Sequence, residues 1–316
     1  MNELKKIFRI REVSLLVVVV IFILILSLTR SAFLTRGNIF NLFYSVSVNS
    51  IIGGAMTVLF VSGGFDMSVG ATLGFCSMAL GWFITIKTIP IPISVIFIII
   101  IGAVIGLVIG YIVAYLGINP FITTLAAWFI IESFTYIVNG GRNIVGFPDK
   151  FSLIASYKIL NIPIIIIFSI MSLIIFGLLL WKNVYFRNNY YIGGNETAAK
   201  LAGISVKRIK LLNYTLVSTM SAVASIFITS RYVGSYAGTG KETAFQVIAA
   251  VIIGGASLKG GRGTVIGTFI GLVLMFLINN ALVLYGVNLY WNKVSLGIML
   301  LIVVYMDVRM HKGEKL

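Results

Sequence analysis

Charged residues are scarce in this sequence: only 10% of its 316 residues are Asp, Glu, Lys or Arg, whereas 59% are hydrophobic. A soluble domain keeps about a quarter of its residues charged to cover its surface. The mean hydropathy is +1.07. This composition excludes an ordinary soluble domain and predicts a chain that lives in a lipid bilayer.

Cysteine and histidine are almost absent, with Cys76 and His311 the single residues of each type. One thiol and one imidazole cannot form a disulfide or a cluster of soft metal ligands. Zinc binding and redox chemistry are therefore not expected, and no cofactor is expected on this chain.

The formal net charge of +15 does not indicate a nucleic-acid-binding protein. Its positive residues are scattered at the ends of apolar runs, where anionic headgroups and the positive-inside bias account for them. The expected partner of this charge is the lipid membrane, and no nucleic acid is expected.

The apolar residues fall into runs of spanning or near-spanning length, which predict an all-α membrane protein with a single transmembrane domain over residues 1–316. The first run follows KKIFRIRE and is interpreted as an uncleaved helix, because it is long enough to span and no small-x-small cleavage site follows it. The predicted spans, about ten in number, are 13–29, 41–62, 69–86, 93–116, 121–139, 162–181, 210–230, 243–258, 264–284 and 290–306.

The distribution of positive residues predicts the orientation. With the N-terminus inside, the cytoplasmic segments hold 15 of the 24 Lys and Arg residues. Cytoplasmic segments of membrane proteins carry such an excess. Both termini and the polar segment 182–210 are therefore expected in the cytoplasm.

Glycine and proline predict packing contacts and breaks. Two sets of glycines repeat every four residues, at 102, 106 and 110 and at 263, 267 and 271, which favours close helix packing. Gly53 with Gly54, Gly63 with Gly64, and Asn119 with Pro120 predict broken or re-entrant helices. Backbone N–H and C=O groups that lack a helical partner are tolerated at membrane depth only where protein or a water-filled cavity satisfies them. These breaks therefore suggest a pathway.

Polar residues within the spans can line a path for a neutral hydroxylated solute, or can simply join helices. The candidates are Asn49, Ser50, Thr57, Thr123, Thr124, Asn279 and Asn280.

Two carboxylates lie within or beside the spans. Glu132 falls in the middle of a predicted span, where it must be paired, protonated or facing water, and structural pairing is the preferred interpretation over a proton relay. Asp66, in GGFDMSVG, is expected to cap the following helix, with contact to a cytoplasmic partner as the alternative.

The polar segment 182–210 contains a short helix. Asn195 is a suitable N-cap, Glu196 opens the helix, and Gly203 suits a left-handed stop. Two interpretations remain: a docking element for a partner, or an amphipathic connector on the headgroups.

The stretch GTGKET (238–243) resembles the end of a phosphate-binding loop only superficially. Ser235 replaces the first glycine of that motif and Glu242 replaces its Ser or Thr, and the segment is expected on the outer side. No nucleotide site is visible, so energy for pumping would have to come from another subunit.

Five motifs in order resemble the membrane-spanning permeases of bacterial ABC importers for monosaccharides, of the ribose type. They are GGFDMSVGA (63–71), NPFITTLA (119–126), NGGRNI (139–144), IGGNETAAKLAGISVKRIK (192–210), and IAAVIIGGASLKGGRGTVIGT (248–268) followed by NN (279–280) and WNKV (291–294). The resemblance covers essentially the whole chain.

The resemblance implies a multi-pass protein of the bacterial cytoplasmic membrane that is not an enzyme. It implies a homodimer, an ATP-binding cassette subunit that carries ATP and magnesium, and an extracytoplasmic sugar-binding protein. The implied coupling residues are Asn195, Glu196, Thr197, Ala198, Ala199 and Gly203. The implied turn motif comprises Gly64, Asp66 and Ser68. The candidate pathway residues are Asn49, Ser50, Thr57, Asn119, Phe121, Thr124, Asn279 and Asn280.

Two positions depart from the family pattern, since Thr197 stands where Ala is usual and Glu132 where Arg is frequent. Three other functions stay open: a related permease for a nucleoside or a sugar-derived signalling molecule, a proton-coupled secondary transporter acting alone, or a membrane scaffold.

Overall fold

The computed structural model describes residues 11–288 and 290–312. In this part of the chain helices dominate. They are α1 (Arg11–Thr29), α2 (Arg36–Val61), α3 (Val69–Gly81), α4 (Ile91–Ala114), α5 (Pro120–Ile137), α6 (Asp149–Ser156), α7 (Ile164–Lys182), α8 (Val184–Gly194), α9 (Glu196–Leu201), α10 (Val206–Tyr232), α11 (Thr243–Ile253), α12 (Val265–Leu284) and α13 (Tyr290–Lys312).

Short elements complete the described fold. A 3-10 turn (Ser31–Leu34) precedes α2, and a π-helical turn (Trp82–Ile86) prolongs α3. Strand β1 (Ile144–Val145) pairs antiparallel with β4 (Gly234–Ser235), and β2 (Lys158–Ile159) pairs antiparallel with β3 (Ile162–Pro163).

The predicted all-α membrane fold is confirmed, since eight described helices are long and apolar enough to cross a bilayer. The predicted eighth span is the clearest deviation. Its helix α11 has only 11 residues, which is roughly 16 Å at about 1.5 Å per residue and falls short of the ~30 Å hydrocarbon core. The chain therefore completes this crossing with non-helical segments on either side of α11.

Helix α2 is the centre of the bundle, with 94% of its apolar window buried. The prediction that Gly53 and Gly54 break this helix is wrong, because α2 is continuous from Arg36 to Val61. A Cβ at Gly53 would lie 3.1 Å from Leu272 of α12, and one at Gly54 would lie 2.8 Å from Phe176 of α7. These glycines admit neighbouring helices rather than interrupting their own.

The predicted packing role of the two glycine repeats is confirmed. Along α4, a Cβ at Gly102 would collide with Ala222, and one at Gly106 would lie 2.6 Å from the backbone oxygen of Tyr214, both on α10. Along α12, Gly271 meets the backbone of Ala250 on α11 just as closely. Small residues thus bring the helix backbones into contact in a bundle that will be surrounded by lipid.

The other predicted breaks occur where expected. Gly63 has a φ of 80° and ends α2. Helix α5 begins at Pro120 after a break, and the Asn119 side chain accepts a hydrogen bond from the Phe121 backbone nitrogen at 2.9 Å. Proline fits the first position of a helix because the backbone nitrogen at that position has no intrahelical hydrogen-bond partner.

Segments predicted on the same side of the membrane meet at the same end of the bundle. At the predicted cytoplasmic end, the Gly261 backbone nitrogen donates to Val61 O at 2.9 Å. At the opposite end, Ser230 Oγ donates to Phe151 O at 2.7 Å.

Candidate coupling surface and translocation site

The short helix α9 forms as its sequence predicts. Asn195 Oδ1 accepts a hydrogen bond from the Ala198 backbone nitrogen at 3.0 Å, which satisfies one of the free donors at the helix start. Gly203, with a φ of 80°, follows the last turn in the left-handed conformation. The result is a six-residue helix with defined ends at the tip of a polar segment.

Glu196 fastens α9 to the rest of the protein. Its carboxylate lies 2.7 Å from Lys200 Nζ and 2.5 Å from Lys210 Nζ, and Lys210 belongs to the long helix α10. Burial would raise the pKa of Glu196, but the hydrogen bonds and positive charges of the two lysines outweigh it, so the pKa lies below its usual value. Glu196 is ionised at neutral pH and positions α9 against α10.

The two alanines of α9 have different surroundings. Ala199 is buried in a small apolar cluster with Ile192, Val206 and Ile209. Ala198 is exposed. Leu201 is 86% exposed and is the large apolar side chain that α9 presents outward. The outward face available to a partner therefore comprises Thr197, Ala198, Leu201 and Ala202 rather than an Ala198 and Ala199 pair.

Helix α8, which leads into α9, touches the membrane helices through backbone atoms. A Cβ at Gly193 would collide with Val61 O and with the backbone nitrogen of Gly261. Beside this contact, Asn213 Nδ2 of α10 lies 2.7 Å from Asn189 Oδ1 of α8. A displacement of α8 would therefore act directly on α2, on α10 and on the segment before α12. We call this contact of Val61, Gly193 and Gly261 the glycine junction.

Asp66 holds the turn before α3 and does not cap the helix as predicted, because Ser68 is the N-cap of α3 and no side-chain cap hydrogen bond is made there. Its Oδ1 accepts hydrogen bonds from the Ser68 backbone nitrogen at 2.7 Å and from Ser68 Oγ at 2.6 Å, at the start of α3. Asp66 is fully buried, so its carboxylate does not reach the surface where a partner could contact it. Gly64 also lies inside, where a Cβ would be 3.1 Å from Tyr214 Oη.

The segment 233–242 enters the bundle, so the prediction that GTGKET (238–243) lies on the outer side is wrong. Ser235 Oγ donates to Ser77 O at 2.6 Å near the outer end of α3. Further along, Gly240 meets the backbone of Gly70, near the other end of that helix. From Gly81, which adjoins Ser235, to Gly70 is roughly 16 Å along α3 at about 1.5 Å per residue. Non-helical backbone therefore lies at membrane depth, where protein or a water-filled cavity has to satisfy its polar groups.

A cavity of about 480 Å³ lies at the inner end of this segment, where α11 begins. It combines backbone, hydroxyl, charged and apolar surfaces, which is the mixture found in sites for small polar molecules. The lining residues are Gly238, Gly240, Lys241, Glu242, Thr243, Phe245, Lys293 and Leu296.

Glu132 is paired, as expected for a carboxylate within a span. Lys241 Nζ lies 3.1 Å from Glu132 Oε1 and 5.6 Å from the centre of the Tyr136 ring. The pair joins α5 to the wall of the 480 Å³ cavity, and Trp128 of α5 packs edge-on against Phe245 at 5.4 Å between ring centres. Half of the Lys241 side chain remains exposed.

The predicted pathway residues are not gathered around this cavity. Thr57 is buried and lies 2.6 Å from Thr268 between hydroxyl oxygens, and Asn280 Nδ2 donates to Asn38 Oδ1 at 2.6 Å. Both contacts join α2 to α12. Thr57 and Asn280 therefore join helices, which is the alternative to lining a solute path. Thr124 is buried and donates to Pro120 O.

The remaining candidates are distributed over three helices. Asn119 and Phe121 are exposed at the start of α5, where Phe121 packs on Phe65 at 6.1 Å. Asn279 is half-buried on α12. Asn49 Oδ1 and Ser50 Oγ are buried and have no hydrogen-bond partner among the residues that the structure describes. A pathway role for these residues stays a prediction.

Sequence reasoning missed the residues that do line the cavity. Lys241 and Thr243 lie in the stretch that superficially resembles a phosphate-binding loop, Lys293 lies in the motif WNKV without a predicted role, and Phe245 belongs to no predicted site. The available signal was the cluster of glycines and charges in GTGKE directly before a short apolar run. Such a break at membrane depth needs support from the surrounding protein or a water-filled cavity.

Comparison with known proteins now defines the class. The model of a family described as branched-chain amino acid transport system / permease component matches residues 38–304. The chain belongs to this family of transport permeases, whose members are multi-pass proteins of the cytoplasmic membrane and not enzymes.

Individual relatives sharpen this assignment. The ribose import permease protein RbsC of Bacillus subtilis (strain 168) is 37% identical over 293 residues, covering 91% of this chain and 89% of that protein. The probable ABC transporter permease protein YphD of Escherichia coli (strain K12) is 32% identical, covering 95% and 90%. The autoinducer 2 import system permease protein LsrD of Escherichia coli O9:H4 (strain HS) is 28% identical, covering 84% and 82%. No solved structure matches. The predicted resemblance to ribose-type ABC permeases is confirmed.

Proposed function

We propose that this chain is the permease subunit of an ABC importer that moves a monosaccharide, or a related small polyol, into the cytoplasm. The observation that carries the proposal is the capped helix α9, which presents Leu201 outward and is tied to the spans by Glu196 and by the glycine junction. The similarity to a ribose import permease supports the choice of solute class.

An ATP-binding cassette subunit docks on α9 in this proposal and holds the ATP and magnesium, and the exposed outward face of α9 supports it. Thr197, Ala198 and Leu201 contact the partner. Asn195, Glu196, Ala199 and Gly203 give α9 its ends and its position. Closure of the ATPase then moves α8 and α9, which contact α2 and the segment before α12 through backbone atoms and α10 through side chains, so that a local displacement becomes a rigid-body change.

The 480 Å³ cavity is the proposed binding site for the solute. Its Thr243 hydroxyl and charged side chains donate and accept hydrogen bonds, and the ring of Phe245 offers an apolar face for a sugar ring. The ion pair between Lys241 and Glu132 closes one wall. A second copy of the permease completes the pathway, and an extracytoplasmic sugar-binding protein delivers the solute.

Asn49 and Ser50 are the candidate pathway residues with the strongest structural support. A buried polar atom without a partner calls for water or a ligand, and both residues carry one. Asn119, Phe121 and Asn279 remain proposed pathway residues, whereas Thr57, Thr124 and Asn280 already have hydrogen bonds within the bundle.

One set of uptake experiments distinguishes this proposal from two alternatives, a different solute and a different energy source. Similarity to an autoinducer 2 import permease favours a sugar-derived signalling molecule as a second candidate solute. A proton-coupled transporter acting alone is less favoured, because Glu132 is engaged with Lys241.

The test is uptake of labelled monosaccharides, a nucleoside and autoinducer 2 into vesicles that contain the permease with or without a cognate ATPase and binding protein from the same organism. We expect uptake of a monosaccharide that needs ATP and both partners, and that is lost with Leu201→Glu. Uptake driven by a proton gradient without the ATPase would overturn the proposal.

A further inference from the structure

A long groove of about 1010 Å³ opens on the surface between α7, α8 and the beginning of α12. Its walls are largely apolar: Ile170, Ile174, Gly177 and Trp181 lie along one face of α7, and Phe269 of α12 faces them. The groove is separate from the 480 Å³ cavity and shares no lining residue with it.

The length of the groove matches one leaflet of a bilayer. Ile170 and Trp181 are eleven positions apart on α7, which corresponds to roughly 16 Å at about 1.5 Å per residue. The hydrocarbon core of a bilayer is about 30 Å thick, so one leaflet accounts for about half of it. A single acyl chain of one leaflet would fill the groove from end to end.

The polar end of the groove lies where lipid headgroups are expected. Trp181 is 70% exposed, and Lys182 Nζ lies 5.0 Å from the centre of its ring. Tryptophan and lysine at the end of a span are typical of the membrane interface. This end belongs to the basic segment 182–210, which the charge bias places in the cytoplasm, and the cytoplasmic leaflet carries anionic lipids.

Arg187 lines this end of the groove and is exposed. It forms no ion pair with any acidic residue in the described ranges, so its guanidinium is available for a phosphate group. Across the mouth, Thr264 Oγ1 donates to Glu12 Oε1 at 2.9 Å. This carboxylate would repel a phosphate on the α12 side and favours its placement at Arg187.

We propose that the groove binds one anionic glycerophospholipid of the cytoplasmic leaflet, with an acyl chain along α7 from Trp181 to Ile170 and the phosphate at Arg187. The positive charge of Arg187 complements the lipid phosphate, and the length of the groove matches the depth of one leaflet. These two observations favour a lipid as the occupant. Arg187 lies on α8, which leads into the coupling helix, so the bound lipid steadies the joint between α7 and α8. The inference does not depend on which solute is transported.

The test uses the purified full chain, exchanged into micelles with equal amounts of phosphatidylglycerol and phosphatidylcholine, and native mass spectrometry to count retained lipids. The wild type is expected to retain one phosphatidylglycerol in preference to phosphatidylcholine. Arg187→Gln should lower that preference about tenfold, which is the scale of one charge-assisted hydrogen bond. Gly177→Leu should abolish retention of the lipid, because the new side chain occupies the groove.

Two control variants match these changes outside the groove. Arg208→Gln removes an exposed arginine of the same basic segment, and Gly297→Leu adds the same side chain at a helical glycine with open space around it. Gly177→Leu is itself compatible with folding, since a Cβ there meets only Val265 Cβ, at 4.0 Å. Both control variants should retain phosphatidylglycerol as the wild type does.

Several results would overturn the proposal. They are equal retention of the two lipids by the wild type, unchanged retention in either groove variant, and loss of retention in the controls. In native membranes, the variant Ile174→Cys in a Cys76→Ala background should react at its new cysteine with a lipid-soluble, photoactivatable maleimide. A cross-link from that cysteine to a second copy, or to residues 1–10, would show that protein fills the groove and would also overturn it.

Discussion

The polar segment 182–210 meets the spans backbone to backbone at the glycine junction, whereas the wall of the 480 Å³ cavity is joined to α5 by side chains. Gly193 contacts Val61 and Gly261 without any intervening side chain. The wall of the 480 Å³ cavity depends instead on one ion pair between Lys241 and Glu132, with Lys241 half exposed.

The two regions therefore have different mechanical properties. A contact between backbones leaves no rotamer freedom and transmits displacement directly, as expected of a joint between a motor and a pathway. An ion pair beside a cavity can open and re-form, as expected of a wall past which a solute must move.

Gly193→Val is expected to be the most damaging change. Its Cβ would collide with Val61 O and the Gly261 nitrogen, so the glycine junction must open. Overpacking of this kind costs about 1–3 kcal/mol or more and should uncouple ATP hydrolysis from uptake. The measurement is thermal stability of the purified complex together with ATP-driven uptake. Gly194→Val is the matched control, because the neighbouring glycine has open space around it. Equal effects of both changes would contradict a junction at Gly193.

Leu201→Glu should abolish partner binding without unfolding the permease. Leu201 is almost fully exposed, so the fold does not depend on it, and a central apolar anchor of an interface is worth about 2 kcal/mol or more. The measurement is affinity for the ATPase by co-purification and titration, with Leu201→Met as the conservative control. Wild-type affinity in the glutamate variant would remove α9 from the proposed interface.

Lys241→Glu should reduce uptake about tenfold, because it places two carboxylates together beside the cavity, while ATPase binding is unchanged. The double variant Lys241→Glu with Glu132→Lys restores the opposite charges and should recover a large part of uptake. Absence of any recovery would show that the pair does more than hold the wall. Lys293→Gln, which changes another lysine of the cavity without touching the pair, is a useful comparison.

Glu196→Gln should have the smallest effect, about 0.5 kcal/mol on the docking of α9, because the carboxylate is 41% exposed and such ion pairs are weak. The folded-state pKa is lowered, so the stabilisation is present above the unfolded value of about 4.3 and is lost as pH falls through the lower folded value. Hydrogen exchange of 196–202 should distinguish variant from wild type at pH 7, and the two should converge once the pH falls below the lowered folded-state pKa of Glu196. A difference that persists in strong acid would contradict the ion-pair explanation.

Much of the fold follows from local sequence. Spans such as α4 and α7 are predictable because length and apolar composition suffice to identify a helix in lipid. The ends of α9 were predictable because Asn195 and Gly203 satisfy the backbone of their own helix. Predictions that depend on a distant residue are less successful. Gly53 and Gly54 predict a break in α2 from the sequence, whereas in the folded protein they allow Leu272 and Phe176 to pack against a continuous helix.

By itself the sequence determined a multi-pass helical permease, its family, and a short capped helix in its basic segment, since each of these depends on composition or on residues close together in the chain. Only the tertiary structure decided that 233–242 descends beside α3, that Lys241 pairs with Glu132 more than a hundred positions away, and that Glu196 positions α9 through Lys210. These features depend on partners brought together by folding, and hydropathy and spacing do not encode which distant side chain will be within reach.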